Sequence, residues 1–594
     1  MKASMRFSAS LLTAILLPAC AAAPRGATYP AGERAADSVA AMAAFRSNVA
    51  AIHQRDRAAY LRHYLQSPRL ARTGPAGTQW GYEGLAAGNP DSWPDTLVAS
   101  HFEVVPVAPG VAYGAYRYRV VDGGSQRGVS ERVLVRQPDG SWKVAVSTAF
   151  RSAGDRPVPA FAFTGATIID GTGAAPRIGT VVMRDGRIEC VGECPIAADV
   201  EALDARGRWI IPGLVDAHVH FSQTGWADGR PDALDLRERF PYDSVIADLE
   251  AHPERFGRSQ LCAGVTAVFD VGGFPWTWAL RGRAEASDAM PRVAAAGPLL
   301  STRDHWLNLP ASRQFVHMSD SASTRAGARM MAAHGSDAVK VWYLVSASQP
   351  DTAAHKARLR VAAEEARRSG LPLIVHATSL WAAKDALRAG AKLLVHSVED
   401  RPVDEEFLRL AREAGTVYTP TLTVREGYVQ LRERRFRPPP AGMECVDPAT
   451  RRKAFLTDSL PPLPAAGDPA AYRERIAQGY RTMLANLKRV HDAGIPVAMG
   501  TDAGNPLTLH GPAVYPEMEA MREAGLSPME VLVASTRGGA RAMGRDDLGT
   551  LEPGKLADLV VLDADPLADV SNVHRVRLVV RGGEVWTREE LEYR

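Results

Sequence analysis

The chain has 594 residues, 46% of them hydrophobic and 23% charged, an ordinary globular composition for two or more domains. A formal net charge of +3 over that length gives no reason to expect a nucleic-acid partner. No internal run of roughly 18 or more apolar residues follows the N-terminal leader, which excludes a spanning helix from the mature chain.

Lys2 and Arg6 precede an apolar segment from Phe7 to Leu17, the layout of a secretory signal. It ends in Leu17-Pro18-Ala19-Cys20, which resembles a bacterial lipobox. That resemblance implies a signal peptide over 1–19 and acylation of Cys20. The product would be an exported protein of the periplasm or cell envelope, touching the membrane through its lipid anchor. Ordinary cleavage within 21–23 is the alternative. An Ala/Pro/Gly-rich tether follows over 20–35. Of the five cysteines, Cys190 and Cys194 lie close in a predicted hairpin region, where an oxidising compartment permits a disulfide. A pair of free thiols is equally compatible. Neither these nor Cys262 and Cys445 fall among the candidate metal ligands.

Residues 36–153 begin with a helical pattern, Val39, Met42, Phe45, Val49 and Ile52. Alternating strands follow, HFEVVPVAPGVAYGAYRYRVV and VSERVLVRQPDGSWKVAVSTAF, with Asp139-Gly140 as a hairpin turn. Helix followed by antiparallel sheet predicts an α+β domain, and the pattern resembles the NTF2-like (SnoaL-like) group, which implies a cone. Such a domain can bind small molecules, associate chains or catalyse. His53, Asp56 and His63 read as solvated helix positions, and Trp80, Trp93 and Trp142 as core or rim. After a Pro-rich break at 156–161, short strands with an Asp185-Gly186 turn occupy 158–208.

Residues 209–547 carry eight apolar runs, at 214–220, 265–271, 292–297, 337–343, 372–377, 391–397, 416–422 and 495–502. Amphipathic helices separate most of them, as in a (β/α)8 TIM barrel, whose active site gathers at the C-terminal ends of the strands. His218 and His220 are spaced by two, so a strand turns both to one face. Two imidazoles there can hold a divalent ion, although histidines that merely satisfy hydrogen bonds would read the same. Lys340, His376, His396 and Asp502 then recur at or near later strand ends, and it is the series that points to a metal centre. Residues 221–240 and 423–470 are the two long connections, and the second, too long for a simple one, reads as a substrate cap or as a surface excursion.

The motifs PGLVDAHVH, LCAGVTAVFDVGG, DAVKVW, IVHA, LLVHS, PTLTV, AGIPVAMGTDAG and LGTLEPGKLADLVVLDADPL stand in the order of the metal-dependent amidohydrolase superfamily. From about residue 158 to the end the chain resembles its imidazolonepropionase-like and bacterial prolidase-like branch. The resemblance implies an α/β architecture, a barrel with a small β-sandwich split between 158–208 and 548–594. It implies two divalent metal ions, zinc being the natural guest. His218, His220 and Asp502 would bind the first, His376 and His396 the second, and a carboxylated Lys340 would bridge both. A metal-bridging hydroxide would then cleave the C–N bond of a small amide, such as a dipeptide or N-acyl amino acid. Asp502 would carry the proton, and His305 and Tyr343 would contact the substrate. The chain departs from the pattern at Thr302-Arg303-Asp304-His305, where relatives often have Gly-Gly-His, and at Phe269, where many have arginine. A lactonase or esterase is the second enzymatic reading, and an inactive substrate-binding lipoprotein is the reading from another class. A homo-oligomer is compatible with all three.

Overall fold

The computed structural model describes residues 29–593 apart from 75–76, 89–95, 122–124, 152–159, 286, 288, 305–306, 310–311, 346–351 and 461–467. The leader with Cys20, together with Trp93 and His305, therefore lies outside the described residues. The chain divides into two units, residues up to 118 with 128–152, and 119–127 with 153 onward. Among the described residues no helix is long and apolar enough to cross a membrane.

In the first unit the helix Ala31–His53 buries Ala41, Phe45 and Val49, a stripe at the four-residue spacing that one helix face presents. Six strands form the accompanying sheet, in the order Gly77–Trp80, Ala71–Gly74, Trp142–Arg151, Ser125–Arg136, Val111–Val121, Thr96–Ala108. Phe45 packs edge-on against Phe102 and Tyr116. Gly114 makes room for it, since a Cβ there would stand 2.9 Å from the Phe45 ring. The hairpin turn at Asp139-Gly140 forms with Gly140 at φ +84°. Trp142 is buried and Trp80 exposed, and Asp56 caps the short helix Arg57–Arg62.

The second unit opens and closes in one mixed sheet of eight strands, to which residues 160–212 and 559–587 both contribute. Trp209–Pro212 pairs antiparallel with Leu559–Leu562, so the two ends of the segment are sewn together. Between them the chain alternates strand and helix. Leu214–Val219, Val265–Asp270 and Arg292–Ala295 form one parallel sheet. Val339–Trp342, Leu373–His376, Leu393–Val395 and Val417–Thr419 run parallel in a second. Two short strands that the sequence reading missed, Leu299–Ser301 and Phe315–His317, extend that second sheet.

The expected eighth run, 495–502, is not a regular strand. It joins its neighbours through isolated bridges, Tyr418 with Val497 and Val219 with Ala503. Its backbone bonds alternate sides: Ala498 N–H donates to the Tyr418 carbonyl, Ala217 N–H to that of Met499, and Asp502 N–H to that of His218. Pro496 has no N–H to give, and Asp502 has φ +62°, so a continuous ladder cannot form there. The described residues of 423–460 are more than a bare excursion. They contain the helices Val424–Glu433 and Pro448–Phe455. Cys190 is bonded to Cys194 and Cys262 to Cys445, the latter tying this segment to the helix Glu254–Cys262.

A buried ion pair holds the parallel core to the mixed sheet. Arg292 Nε donates to Asp558 Oδ2 at 2.6 Å and its second nitrogen to Oδ1 at 3.1 Å, and Asp558 also accepts from Gly582 N at 2.7 Å. Removing one partner of such a pair leaves an uncompensated buried charge. Asp558→Ala is expected to lower unfolding free energy by about 3–5 kcal/mol, read as a reduced urea midpoint at unchanged slope.

Candidate metal centre

The strand Leu214–Val219 is buried at every position and still carries Asp216 and His218 on one face. Asp216 is the stitch. Its Oδ1 accepts from the backbone N–H groups of His218 (3.1 Å) and Thr501 (3.0 Å), and its Oδ2 from the Thr501 hydroxyl (2.6 Å). These bonds lock the Thr501-Asp502 turn onto the first strand and aim the Asp502 carboxylate at the histidines. Burial pushes the Asp216 carboxyl up to about 7, against its hydrogen bonds.

Asp502 Oδ1 lies 3.0 Å from His220 Nε2 and 3.3 Å from His218 Nε2, and those two nitrogens are 3.3 Å apart. The His220 Nδ1–H donates to the Gly272 carbonyl at 2.6 Å. That bond fixes the tautomer and leaves the Nε2 lone pair facing Asp502. His396 Nδ1 stands 2.7 Å from the Thr421 hydroxyl and 3.9 Å from Asp502 Oδ2, and its ring centroid is 4.3 Å from that of His376. His218, His396 and Asp502 form a group whose donor atoms all lie within 4.8 Å of one another. Lys340, His376 and His220 line the same cavity of ≈ 250 Å³.

The donor set fits a divalent cation. Burial, reinforced by Lys340, holds His218 and His376 well below the usual imidazole range, and burial with His376 does the same for His396. These rings are neutral and able to give a lone pair. Burial also draws the Lys340 ammonium down to about 7, with Asp502 opposing. Among the described residues no ion pair of Lys340 with a carboxylate is found.

Several of these groups are held in backbone conformations that side-chain-bearing residues seldom adopt. His396 (φ +72°), Thr421 (+45°) and Asp502 (+62°) are all left-handed, the kind of strain that clusters at functional sites. Gly500 permits the close approach, because a Cβ there would fall 2.5 Å from Thr419 Cγ2 and 2.9 Å from His218 Cβ.

Tyr343, expected to contact the substrate, does not line the cavity. It is buried in the hydrophobic core, while Trp342 lines the cavity. Strand alternation explains the exchange: Lys340 and Trp342 share a face, and Tyr343 turns away. Phe269 is enclosed with Ala217, Ala294 and Ile374. His510 stacks on Phe256 at 4.1 Å and bonds the Gln223 carbonyl, a packed histidine. Sequence reasoning missed Arg230, Arg425, Tyr428 and Asn505, which all line the cavity. The Tyr428 hydroxyl donates to Asn505 Oδ1 at 2.6 Å, Arg230 bonds the same oxygen and pairs with Asp232, and Arg425 pairs with Glu399 at 2.8 Å.

Glu517 was missed as well. It is fully buried and accepts from Leu422 N (2.7 Å), Thr423 N (3.0 Å) and the Thr423 hydroxyl (2.9 Å). It thereby anchors the turn that leads into Val424–Glu433. Burial raises its carboxyl to about 7. Between the unfolded value, about 4.3, and that value, the native state keeps a proton that the unfolded chain has lost, so its contribution falls as pH rises. The stability difference between the wild type and Glu517→Gln should shift by about 3 kcal/mol against the wild type from pH 4 to pH 8, measured by urea titration at each pH.

A strand-and-helix core with a buried His/His/Asp cluster at its strand ends defines a metal-dependent hydrolase class. The comparisons agree. The model of the amidohydrolase family matches residues 209–586. The dihydroorotase of Anaeromyxobacter dehalogenans (strain 2CP-C) is 27% identical over 420 residues, 67% of this chain and 87% of that protein. The imidazolonepropionase of Cutibacterium acnes is 36% identical over 125 residues, 21% of this chain and 30% of that protein. Among solved structures, molinate hydrolase is 26% identical with a TM-score of 0.56, covering 73% of this chain and 96% of its own. A Xaa-Pro dipeptidase with bound methionine has a TM-score of 0.56 at 22% identity, covering 72% of this chain and 100% of its own, and speaks for the fold alone. The chain belongs to the amidohydrolase family. It is a metal-dependent enzyme that hydrolyses a C–N bond.

Proposed function

We propose that the enzyme cleaves the amide bond of a small N-acyl amino acid or dipeptide at a centre of two divalent ions, zinc by preference. His218, His220 and Asp502 would hold one ion, His376 and His396 the other, with Lys340 between them as its carbamate. The observation that carries this reading is the convergence of Asp502 Oδ1 on the Nε2 atoms of His218 and His220 at 3.3 and 3.0 Å in a cavity that also contains Lys340. When bound, such ions polarise the scissile carbonyl and acidify an attacking water. Asp502 takes the proton of that water and returns it to the leaving amine. Arg230, Tyr428 and Asn505 supply a cation and hydrogen-bonding groups for the polar end of the substrate. The imidazoles of His218 and His220 stay in register through Asp216 and Gly272.

In finer architecture we read the parallel strands as a closed (β/α)8 barrel, supported by the bridges on both sides of 495–503. The eight-stranded mixed sheet would be the split β-sandwich, and the first unit an NTF2-like cone, on the strength of its long helix and six-stranded sheet. Export with a lipid on Cys20 is supported by the leader and by the two disulfides, which persist in oxidising compartments. The test of function is a mass-spectrometric hydrolysis screen of metal-loaded protein against dipeptides, N-acyl amino acids and lactones, with Lys340→Ala as the blank. Amides consumed by the wild type alone carry the reading. Consumption of lactones alone replaces it with the ester-directed one.

A further inference from the structure

The cavity containing the metal ligands, at ≈ 250 Å³, is smaller than typical ligand pockets, which span roughly 300–1,000 Å³. A second cavity of ≈ 500 Å³ lies among the helices Val424–Glu433, Pro469–Asp492 and Val514–Glu523. Glu399, Arg425 and Met483 line both, so the two spaces share a wall. That wall is easily opened. The Arg425–Glu399 pair has side chains 37% and 28% exposed and so contributes little to stability, and methionine adapts its shape at small cost.

The second cavity is lined by buried apolar groups such as Leu422, Val429, Leu509 and Ala520. Its charged residues are Arg425, Arg437 and Arg473, paired with Glu399 and Glu433, and Glu426, Glu519 and Glu523, which are exposed. A cavity whose buried walls are apolar and whose charged groups of both signs are partly or fully exposed, adjoining a reactive site across a movable ion pair, matches an apolar chain better than a charged group.

We propose that this second cavity is the subsite for a long apolar acyl arm of the substrate, reached from the metal ligands past Arg425 and Met483. The inference rests on the reading of the centre as an amide hydrolase. It narrows the substrate class from small amides in general to amides of medium- and long-chain acids. The polar end remains with Arg230, Tyr428 and Asn505, and the apolar arm is desolvated behind the ion pair.

The experiment has two arms. In the first, the metal-loaded enzyme is assayed on a series from N-acetylglycine to N-decanoylglycine. Burial of each added methylene should raise kcat/KM about fourfold until the cavity is full. Ala477→Trp on the helix Pro469–Asp492 and Ala520→Phe on Val514–Glu523 fill the void from different helices. Each should lower the decanoyl-to-acetyl ratio of kcat/KM by about tenfold or more. A flat series, or an unchanged ratio in both variants, overturns the subsite. In the second arm, N-phenyl-1-naphthylamine fluorescence reports the cavity without any turnover. Binding to the wild type, displacement by N-decanoylglycine but not N-acetylglycine, and loss in the filled variants support the subsite. No binding, or equal displacement by both, overturns it. If no acylglycine is hydrolysed, the amide reading fails at the metal centre, and the fluorescence arm still decides the cavity.

Discussion

Asp502→Asn is expected to lower kcat by about 10²–10⁴-fold, the range for removal of a positioned general base, with KM changed little. The substitution isolates proton transfer for three structural reasons. Asparagine tolerates the left-handed φ of +62° at this position. It keeps the backbone N–H bond to the His218 carbonyl, 2.7 Å long. It also keeps one oxygen at the place where Oδ1 meets the His218 and His220 nitrogens. What it lacks is the charge and basicity to take a proton from water. Metal content measured by plasma mass spectrometry should therefore fall far less than turnover. Retention of most of the wild-type kcat would remove Asp502 from the proton-transfer role. A parallel collapse of metal content would make it chiefly a ligand.

The parts of the site that were legible in the sequence are those fixed by local geometry. His218 and His220 sit two apart on a strand, so their common face follows from the period of two. Lys340, His376 and His396 each end or lie within a short apolar run, and Asp502 sits in a Gly-rich turn. The same period, applied from Lys340, puts Trp342 rather than Tyr343 on the cavity side. Arg230, Arg425, Tyr428 and Asn505 had no such signal. They come together only because three separate loops return to the strand ends, which no spacing rule reveals. The same is true of Cys262 and Cys445, separated by 183 residues and bonded with Cα atoms 5.5 Å apart. The run 423–470 looked too long for a connection because its helix Val424–Glu433, whose Arg425 and Tyr428 line the metal cavity, was not recognised. At 495–502 the apolar pattern read as a strand, yet Pro496 and the left-handed Asp502 interrupt the ladder and leave bridges only.

Lys340→Ala is expected to abolish turnover, a loss of about 10³-fold or more, and, on the proposed two-ion reading, to reduce bound metal from two ions per chain toward one. The argument starts from the cost of the site. A lysine 2% exposed without a carboxylate partner is expensive to keep charged, and burial draws its ammonium down to about 7. Near neutral pH a substantial share of the amine is then unprotonated, the form that attacks carbon dioxide. On the proposed reading, the new N–C bond would cost the nitrogen one proton and yield a carbamate, with two oxygens and one negative charge. That group can face two cations where an ammonium would repel them. Wild-type apoprotein should consequently take up its second ion faster in bicarbonate than in carbon-dioxide-free buffer, whereas Lys340→Ala should show no such difference. Acetate or propionate, supplying a free carboxylate to the vacated space, should restore part of the activity of the alanine variant and none to Lys340→Met, whose side chain fills it. Equal metal uptake by the wild type with and without bicarbonate would sink the carbamate. Lys340 would then be a buried amine acting directly on the substrate, and the pH profile of kcat, rising through about 7, would carry its signature.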